Sequence, residues 1–174
     1  MTLSDSMVSV NDLVEYRVPP AGFDAVEVDP LREADALVEA QLLDSRVCPL
    51  TSTAALLFEL RTSLQFDVGN AALLVVRGLR SFGWSTPAVP GALAALTVVS
   101  SVPDRRDDSF RMRCEFFPEA QLGVVGDLAD FYVLDAEGVG DVPPDYSGAD
   151  LKRVQGALPT WSSLCSLLQG SSSR

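Results

Sequence analysis

The stretch Ala54-Ala55-Leu56-Leu57-Phe58-Glu59-Leu60-Arg61-Thr62-Ser63-Leu64-Gln65-Phe66-Asp67-Val68-Gly69-Asn70-Ala71-Ala72-Leu73-Leu74-Val75-Val76-Arg77-Gly78-Leu79 decides the fold class. From Ala54 the apolar residues recur with a period of two. Leu56, Phe58, Leu60, Leu64 and Phe66 alternate with Glu59, Arg61, Ser63, Gln65 and Asp67, which predicts a long strand over 54–66 with one face in water. Gly69-Asn70 is a turn signal, and Ala71 to Leu79 follows as a nearly continuous apolar strand. The two are expected to pair as an antiparallel hairpin with Phe58 and Leu60 buried. The second strand is expected to be the more central, because an uninterrupted apolar run suits a strand covered on both faces.

Working outward, further strands are expected at Arg80 to Trp84, Leu93 to Ser101, Phe110 to Phe117, Gln121 to Val125 and Asp130 to Leu134. Phe110, Met112, Cys114 and Phe116 alternate with Arg111, Arg113 and Glu115, again one dry face and one wet. The charged run from Pro103 to Asp108 reads as a solvated hairpin tip. Short strands without intervening helical periods argue for a curled antiparallel meander over 54–135, barrel-like or a half-sandwich. Residues 1–28 read as irregular, to supply an edge strand at Leu13 to Val18 or to drape over the core. Asp29-Pro30 opens an amphipathic pattern that predicts an N-terminal helix over 29–43. Ser147-x-x-Asp150 is a capping-box pattern predicting a C-terminal helix to about Leu158. A docked turn follows from Trp161 to Leu168, and a frayed tail over 169–174. The whole is expected to be one α+β domain spanning 1–174.

Composition narrows the function classes. The chain has 174 residues and a formal net charge of −11. No run of about 18 apolar residues occurs, so no membrane-spanning helix is expected. Met1-Thr2-Leu3-Ser4-Asp5-Ser6 lacks a basic region ahead of an apolar one, so no signal peptide is expected. Cys48, Cys114 and Cys165 are odd in number and far apart, which fits reduced thiols and a cytoplasmic location. Charge is uneven along the chain. Residues 114–151 hold 9 acids and no base, whereas residues 61–113 hold 7 bases against 4 acids. Nucleic acid and anionic membranes are poor partners for such a chain, because phosphate binding draws on Lys and Arg. A basic partner protein suits it better.

The sequence contains no histidine. That removes Ser-His-Asp and Cys-His nucleophile activation and histidine-based zinc or iron sites. No GxxxxGK[ST] run occurs, and Gly138-Val139-Gly140-Asp141-Val142-Pro143 breaks GxGxxG at its third glycine. Asp135, Glu137, Asp141 and Asp145 lack the dense spacing of a calcium loop. No catalytic residue, cofactor or metal ligand is expected. Cys114, between Met112 and Phe116, reads as core filler. Arg77, inside the most apolar strand, needs a buried partner, and Glu59 across the hairpin is the expected one. Trp84 reads as core.

The runs Leu56-Leu57-Phe58-Glu59-Leu60-Arg61 to Val75-Val76-Arg77-Gly78, Phe116-Phe117-Pro118-Glu119-Ala120, Asp130-Phe131-Tyr132-Val133 and Pro143-Pro144-Asp145-Tyr146 carry a resemblance. Together, over about residues 45–165, the chain resembles small uncharacterised acidic proteins of actinobacteria in the style of toxin-immunity proteins. That resemblance implies a non-enzymatic module, an immunity protein or antitoxin, that occludes a basic surface. The acids Asp135, Glu137, Asp141 and Asp145 are the expected contact residues, with Tyr146 and Tyr132 as aromatic anchors. The alternative is a small-molecule-binding or enzymatic β-barrel whose pocket is lined by Arg77, Arg111 or Arg113.

Overall fold

The central hairpin forms in the predicted pairing, but both of its faces are buried. The computed structural model describes residues 7–16, 23–87, 93–147 and 150–174. The readings that fall on residues 1–6, on 17–22, which include the end of the Leu13 to Val18 strand, and on 148–149 within the Ser147 to Asp150 pattern lie outside the described residues. In chain order the elements are β1 (Val8–Ser9), α1 (Val10–Glu15), β2 (Asp24–Ala25), β3 (Gln41–Cys48), β4 (Thr53–Glu59), β5 (Ala71–Arg77) and β6 (Ser81–Ser85). Then come β7 (Leu96–Arg106), β8 (Ser109–Phe117), β9 (Ala120–Gly126), β10 (Leu128–Ala136), α2 (Leu151–Gly156) and β11 (Leu164–Ser172).

All strands belong to one sheet in the order β1-β11-β10-β5-β4-β3-β7-β8-β9-β6, with β2 alongside β11. Every pairing is antiparallel except β2 with β11. The sheet curls so that β7, β8 and β9 lay Phe110, Met112, Cys114, Phe116, Leu122 and Val124 over one face of β4, β5 and β10. The other face of those three strands carries Ala55, Leu57, Leu73, Val75, Tyr132 and Leu134. It is covered by Val10 and Leu13 of α1 together with Trp161 and Cys165. The crossing point is tight. Asp127 N–H donates to Arg77 O at 2.9 Å, and a Cβ on Gly126 would stand 2.4 Å from Val76 Cγ1, so only glycine lets the layers approach there.

The barrel-like alternative is corrected to an open, curled sheet. β3 meets β7 only through Gln41 opposite Thr97 and Leu42 opposite Leu96. Beyond those pairs the seam is filled by residues 35–40, and this is why the helix expected over 29–43 does not form. Asp29 opens a turn, its carboxylate accepting from Leu31 N–H at 2.9 Å. Helical bonding then gives way to the edge of β7. Asp35 N–H donates to Ser101 O at 2.7 Å and Glu39 N–H to Val98 O at 3.0 Å. Asp35 and Glu39 take φ of 61° and 74°, in the left-handed region. Leu31, Leu37 and Ala40 are still buried, so the apolar spacing marked a core-facing segment but not its conformation.

The first hairpin strand is shorter than its alternation predicts. β4 ends at Glu59, and all of its residues are buried, so no face is wet. Leu60 is buried, and residues 61–70 form a loop. Thr62 Oγ1 donates to Glu39 O at 2.7 Å and Ser63 Oγ to Val38 O at 3.2 Å, hydroxyl bonds that hold the loop to the turn beside it. Gly69 has φ 83°, and a Cβ there would stand 2.6 Å from Val133 Cγ1. Asn70 then exchanges side-chain bonds of 2.9 and 2.8 Å with the backbone of Ala136.

Both termini also differ from expectation. In place of an edge strand, residues 10–15 form α1. Ser9 and Asp12 make a reciprocal capping box, with Ser9 N–H to Asp12 Oδ2 at 2.9 Å and Asp12 N–H to Ser9 Oγ at 3.2 Å. The C-terminal helix is reduced to α2, capped by Asp150, whose side chain accepts from Arg153 N–H at 2.8 Å. The docked turn and frayed tail are replaced by β11, which pairs along β10 from Ser172 to Cys165. β10 is buried on both faces and needs hydrogen bonds on both edges, so the polar tail is drawn into the sheet. Beyond β11, Ser173 N–H donates to Ala129 O at 2.9 Å, and its hydroxyl accepts from Ala129 N–H at 2.8 Å. Nearer the centre one expectation holds and another is shifted. Phe110, Met112, Cys114 and Phe116 are buried while Arg111, Arg113 and Glu115 are exposed. The charged tip is displaced to Asp107-Asp108, because β7 continues to Arg106.

Phe58 is fully buried at the centre of the larger apolar cluster. Phe58→Ala should lower the unfolding free energy by about 3–5 kcal/mol, from lost burial and the cavity left behind. Urea unfolding checks this, and a loss below about 1 kcal/mol would contradict the packing described. Burial also pushes the Cys114 thiol from its ordinary 9.0 up to about 12, and the Tyr132 phenol from 10.0 up to about 12. The folded state holds both protons where the unfolded chain releases them. Stability from these groups is therefore complete below pH 9 and falls as pH rises towards 12. Melting temperature followed through that range should decline, and the decline should weaken in Cys114→Ala.

Candidate functional site: an acidic loop held by a buried arginine

Beyond β10 the chain runs through a Gly- and Pro-containing loop to α2, and one side chain from the loop after β4 holds it. Arg61 lies two residues past Glu59, the last residue of β4. Its Nε donates to Glu59 Oε1 at 2.8 Å and its Nη2 to Glu59 Oε2 at 2.6 Å. The Arg61 backbone N–H adds a third bond to the same carboxylate at 2.8 Å. The remaining guanidinium hydrogens go to loop carbonyls. Nη1 reaches Val139 O at 2.6 Å and Val142 O at 2.9 Å, and Nη2 reaches Ala157 O at 3.0 Å. Arg61 is 5% exposed and Glu59 is fully buried, so the pair is neutral and dry. Nη1 also lies 3.3 Å from Gly140 O, and the five N–H donors of a planar guanidinium fork are why one residue can bind a carboxylate and several carbonyls together.

The expected contact acids run from the end of β10 into the loop that this anchor holds. Asp135 faces out from β10 opposite Ser166 of β11. Glu137 follows, its N–H bonded to Leu164 O at 2.9 Å. Asp141 and Asp145 lie in the loop, and all four are exposed. Asp145 accepts from Ser147 N–H at 2.9 Å and from its hydroxyl at 2.7 Å, and those bonds hold its pKa below the ordinary carboxylate value. Among the described residues, none of the four makes an ion pair. Nor does any group of three or more His, Cys, Asp or Glu side chains there suit a metal ion. Tyr146 is half-buried beside the anchor, its phenol pushed up by burial and then by the Glu59 charge. Val142 and Leu151 are exposed at the flanks.

Tyr132 is corrected from surface anchor to core. It is fully buried against α1, with Phe23 packed edge-on at 6.3 Å. The expected Arg77–Glu59 pair is also corrected. The hairpin register sets Thr53 opposite Arg77 and Glu59 opposite Ala71, so the two charges sit at opposite ends. Arg77 instead donates through Nε to Asp130 Oδ2 at 3.1 Å, and through Nη1 and Nη2 to Val14 O at 2.9 Å and Leu13 O at 3.3 Å. It thereby caps the C-terminal carbonyls of α1.

The arginines of the pocket alternative do not converge. Arg77 lines a groove of about 720 Å³ between α1 and the β3–β4 hairpin, whereas Arg111 and Arg113 face outward from β8 in the other half of the sheet. In that groove Arg46 bonds Asn11 and stacks over Trp161 at 4.5 Å, while Trp161 Nε1 donates to Asp44 Oδ2 at 2.7 Å. Cys48 is exposed at the groove's rim, its thiol lowered by hydrogen bonds from Thr51. Trp84, read as core, is 42% exposed and leans on Phe116 at 5.8 Å.

The anchor itself escaped the sequence reading, which put Glu59 and Arg61 on a wet face. The available signal was their same-side spacing at the end of an otherwise apolar run. Comparison with known proteins finds no matching family, no similar curated protein and no similar solved structure. Among the described residues no helix is long and apolar enough to cross a membrane.

Arg61→Met leaves the Glu59 carboxylate buried without its partner and should cost about 3–5 kcal/mol in urea unfolding. The double variant Glu59→Met/Arg61→Met should recover part of that loss. Amide exchange across 139–142 should accelerate in both variants, since the loop carbonyls lose their donor. A near-neutral single variant would show that the anchor does not hold the loop.

Proposed function

We propose that this chain is a non-enzymatic, acidic protein-binding module, an immunity protein or antitoxin that covers a basic surface of its partner. One observation carries the reading. Asp135, at the end of β10, and Glu137, Asp141 and Asp145, on the loop that follows, are exposed, and that loop's backbone is tied to the sheet by a buried ion pair, so among the described residues their charge is displayed without ion-pair compensation. A carboxylate set held in place before binding avoids much of the ordering cost of association. Its summed field speeds encounter with a basic protein and repels phosphate-bearing partners. Val142, Tyr146 and Leu151 lie among the acids and supply apolar area for a desolvated centre inside a charged rim. The alternative, a ligand-binding site, draws its support from the groove beside α1, where Arg46 has among the described residues no carboxylate partner such as Arg77 has.

Co-expression with the products of adjacent genes, followed by co-purification and binding kinetics, tests the reading. A stable complex with a basic protein is expected, its association slowing as salt rises past about 0.1 M, where the Debye length is about 10 Å. Asp135→Asn, Glu137→Gln, Asp141→Asn and Asp145→Asn combined should slow association at least about tenfold at low salt with the fold unchanged. No complex, or one whose association ignores both salt and the four substitutions, would overturn the proposal.

A further inference from the structure

The sheet has three stretches of edge, and the chain treats them differently. Beside β11 the edge is met by β1 and β2, each only two residues long. Very short edge strands offer little template for another chain. Along the seam between β3 and β7, residues 35–40 occupy the open hydrogen-bonding groups of β7. At the remaining end stands β6, five residues paired on one side with β9 in unbroken register and with nothing on the other among the described residues. It contains no charge, no proline and no bulge, the devices by which proteins blunt an edge.

The sequence of β6 is Ser81-Phe82-Gly83-Trp84-Ser85, which reads nearly the same in both directions around Gly83. In an antiparallel pair related by a two-fold axis at Gly83, Gly83 meets Gly83 of the second copy. Phe82 then meets Trp84, and Ser81 meets Ser85. Phe82 and Trp84 share one side of the strand. Phe82 packs on the larger apolar cluster and Trp84 leans on Phe116, with 42% of its surface left exposed. Aromatic residues placed directly across an antiparallel pair are among the favourable cross-strand contacts.

Charge permits the same contact. The chain is strongly acidic, so two copies repel over most of their surface. Neither β6 nor the neighbouring β9 carries a charged residue. The next strand, β8, offers Arg111 and Arg113 beside Glu115 on its outer face. β6 thus lies where approach of a like-charged copy meets least resistance.

We infer that a second copy of this chain docks on β6, extending the sheet across a two-fold axis at Gly83. The contact is isologous, so it closes at the dimer and does not propagate into a filament. It uses a surface separate from the acidic loop and stands or falls apart from the function proposed above.

Sedimentation velocity of the full chain over a concentration series tests it, with substitutions at residues 81, 83 and 85 in a Cys48→Ser background. A Cβ at residue 83 would meet only Gly123 O at 3.9 Å, and the backbone there is not left-handed, so side chains at this position leave the monomer intact. The parent should sediment as a concentration-dependent dimer. Gly83→Lys, which sets two ammonium groups across the axis, should be monomeric with an unchanged circular dichroism spectrum and melting temperature. Gly83→Cys should form a disulfide-linked dimer under mild oxidation, while Ser81→Cys or Ser85→Cys alone should not, because only residue 83 meets itself. A parent that stays monomeric to about millimolar concentration, a dimer that survives Gly83→Lys, or equal cross-linking at 81, 83 and 85 would overturn the inference.

Discussion

The structure depends on β4, β5 and β10 being dry on both faces. Burial of nearly all their residues, Asp135 at the end of β10 being exposed, demands two covers and two hydrogen-bonding neighbours per strand. The curled half of the sheet supplies one cover, and α1 with Trp161 and Cys165 supplies the other. β11 supplies the ladder that β10 would otherwise lack. The same demand explains why polar segments at both ends of the chain are ordered into helix or strand.

The buried carboxylates within those strands each have an arginine where they stand. Glu59 and Asp130 are the two acids buried there, and each has an arginine on its own side of the sheet. Both arginines have donors left over after the ion pair, and both spend them on backbone carbonyls of a neighbouring segment. Arg61 ties down the acidic loop and Arg77 ties down the end of α1. A buried pair of this kind adds little net stability by itself, because desolvation offsets attraction. Its effect is positional: it couples loop and helix geometry to the core.

That coupling separates two kinds of acid in one chain. Glu59 and Asp130 are paired and structural, whereas Asp135 at the end of β10 and the three acids of the loop face water without ion pairs among the described residues. Net charge alone would treat them alike. The distinction places the negative field at the loop end of β10 and leaves β6 and β9 free of charge at the far edge of the sheet.

The sequence by itself determined that this is an antiparallel, strand-rich chain, that the hairpin of β4 and β5 forms, and that β6, β8, β9 and β10 lie close to where period-two patterning put them. Those signals are local, since alternation and turn residues act within one strand or between neighbours. The absence of histidine was likewise decisive for the chemistry without any structure. The tertiary structure alone decided the rest. Residues 29–43 have helical spacing, but their donors are captured by β7, 60 or so positions away in sequence. The serine-rich tail has no strand signal, yet β10 needs a partner and takes it. Glu59 and Arg61 look solvated until the loop closes over them, and Arg77 finds Asp130 because register, not proximity in sequence, sets which charges meet. Each of these outcomes was settled by long-range hydrogen-bond demand, to which local periodicity is blind.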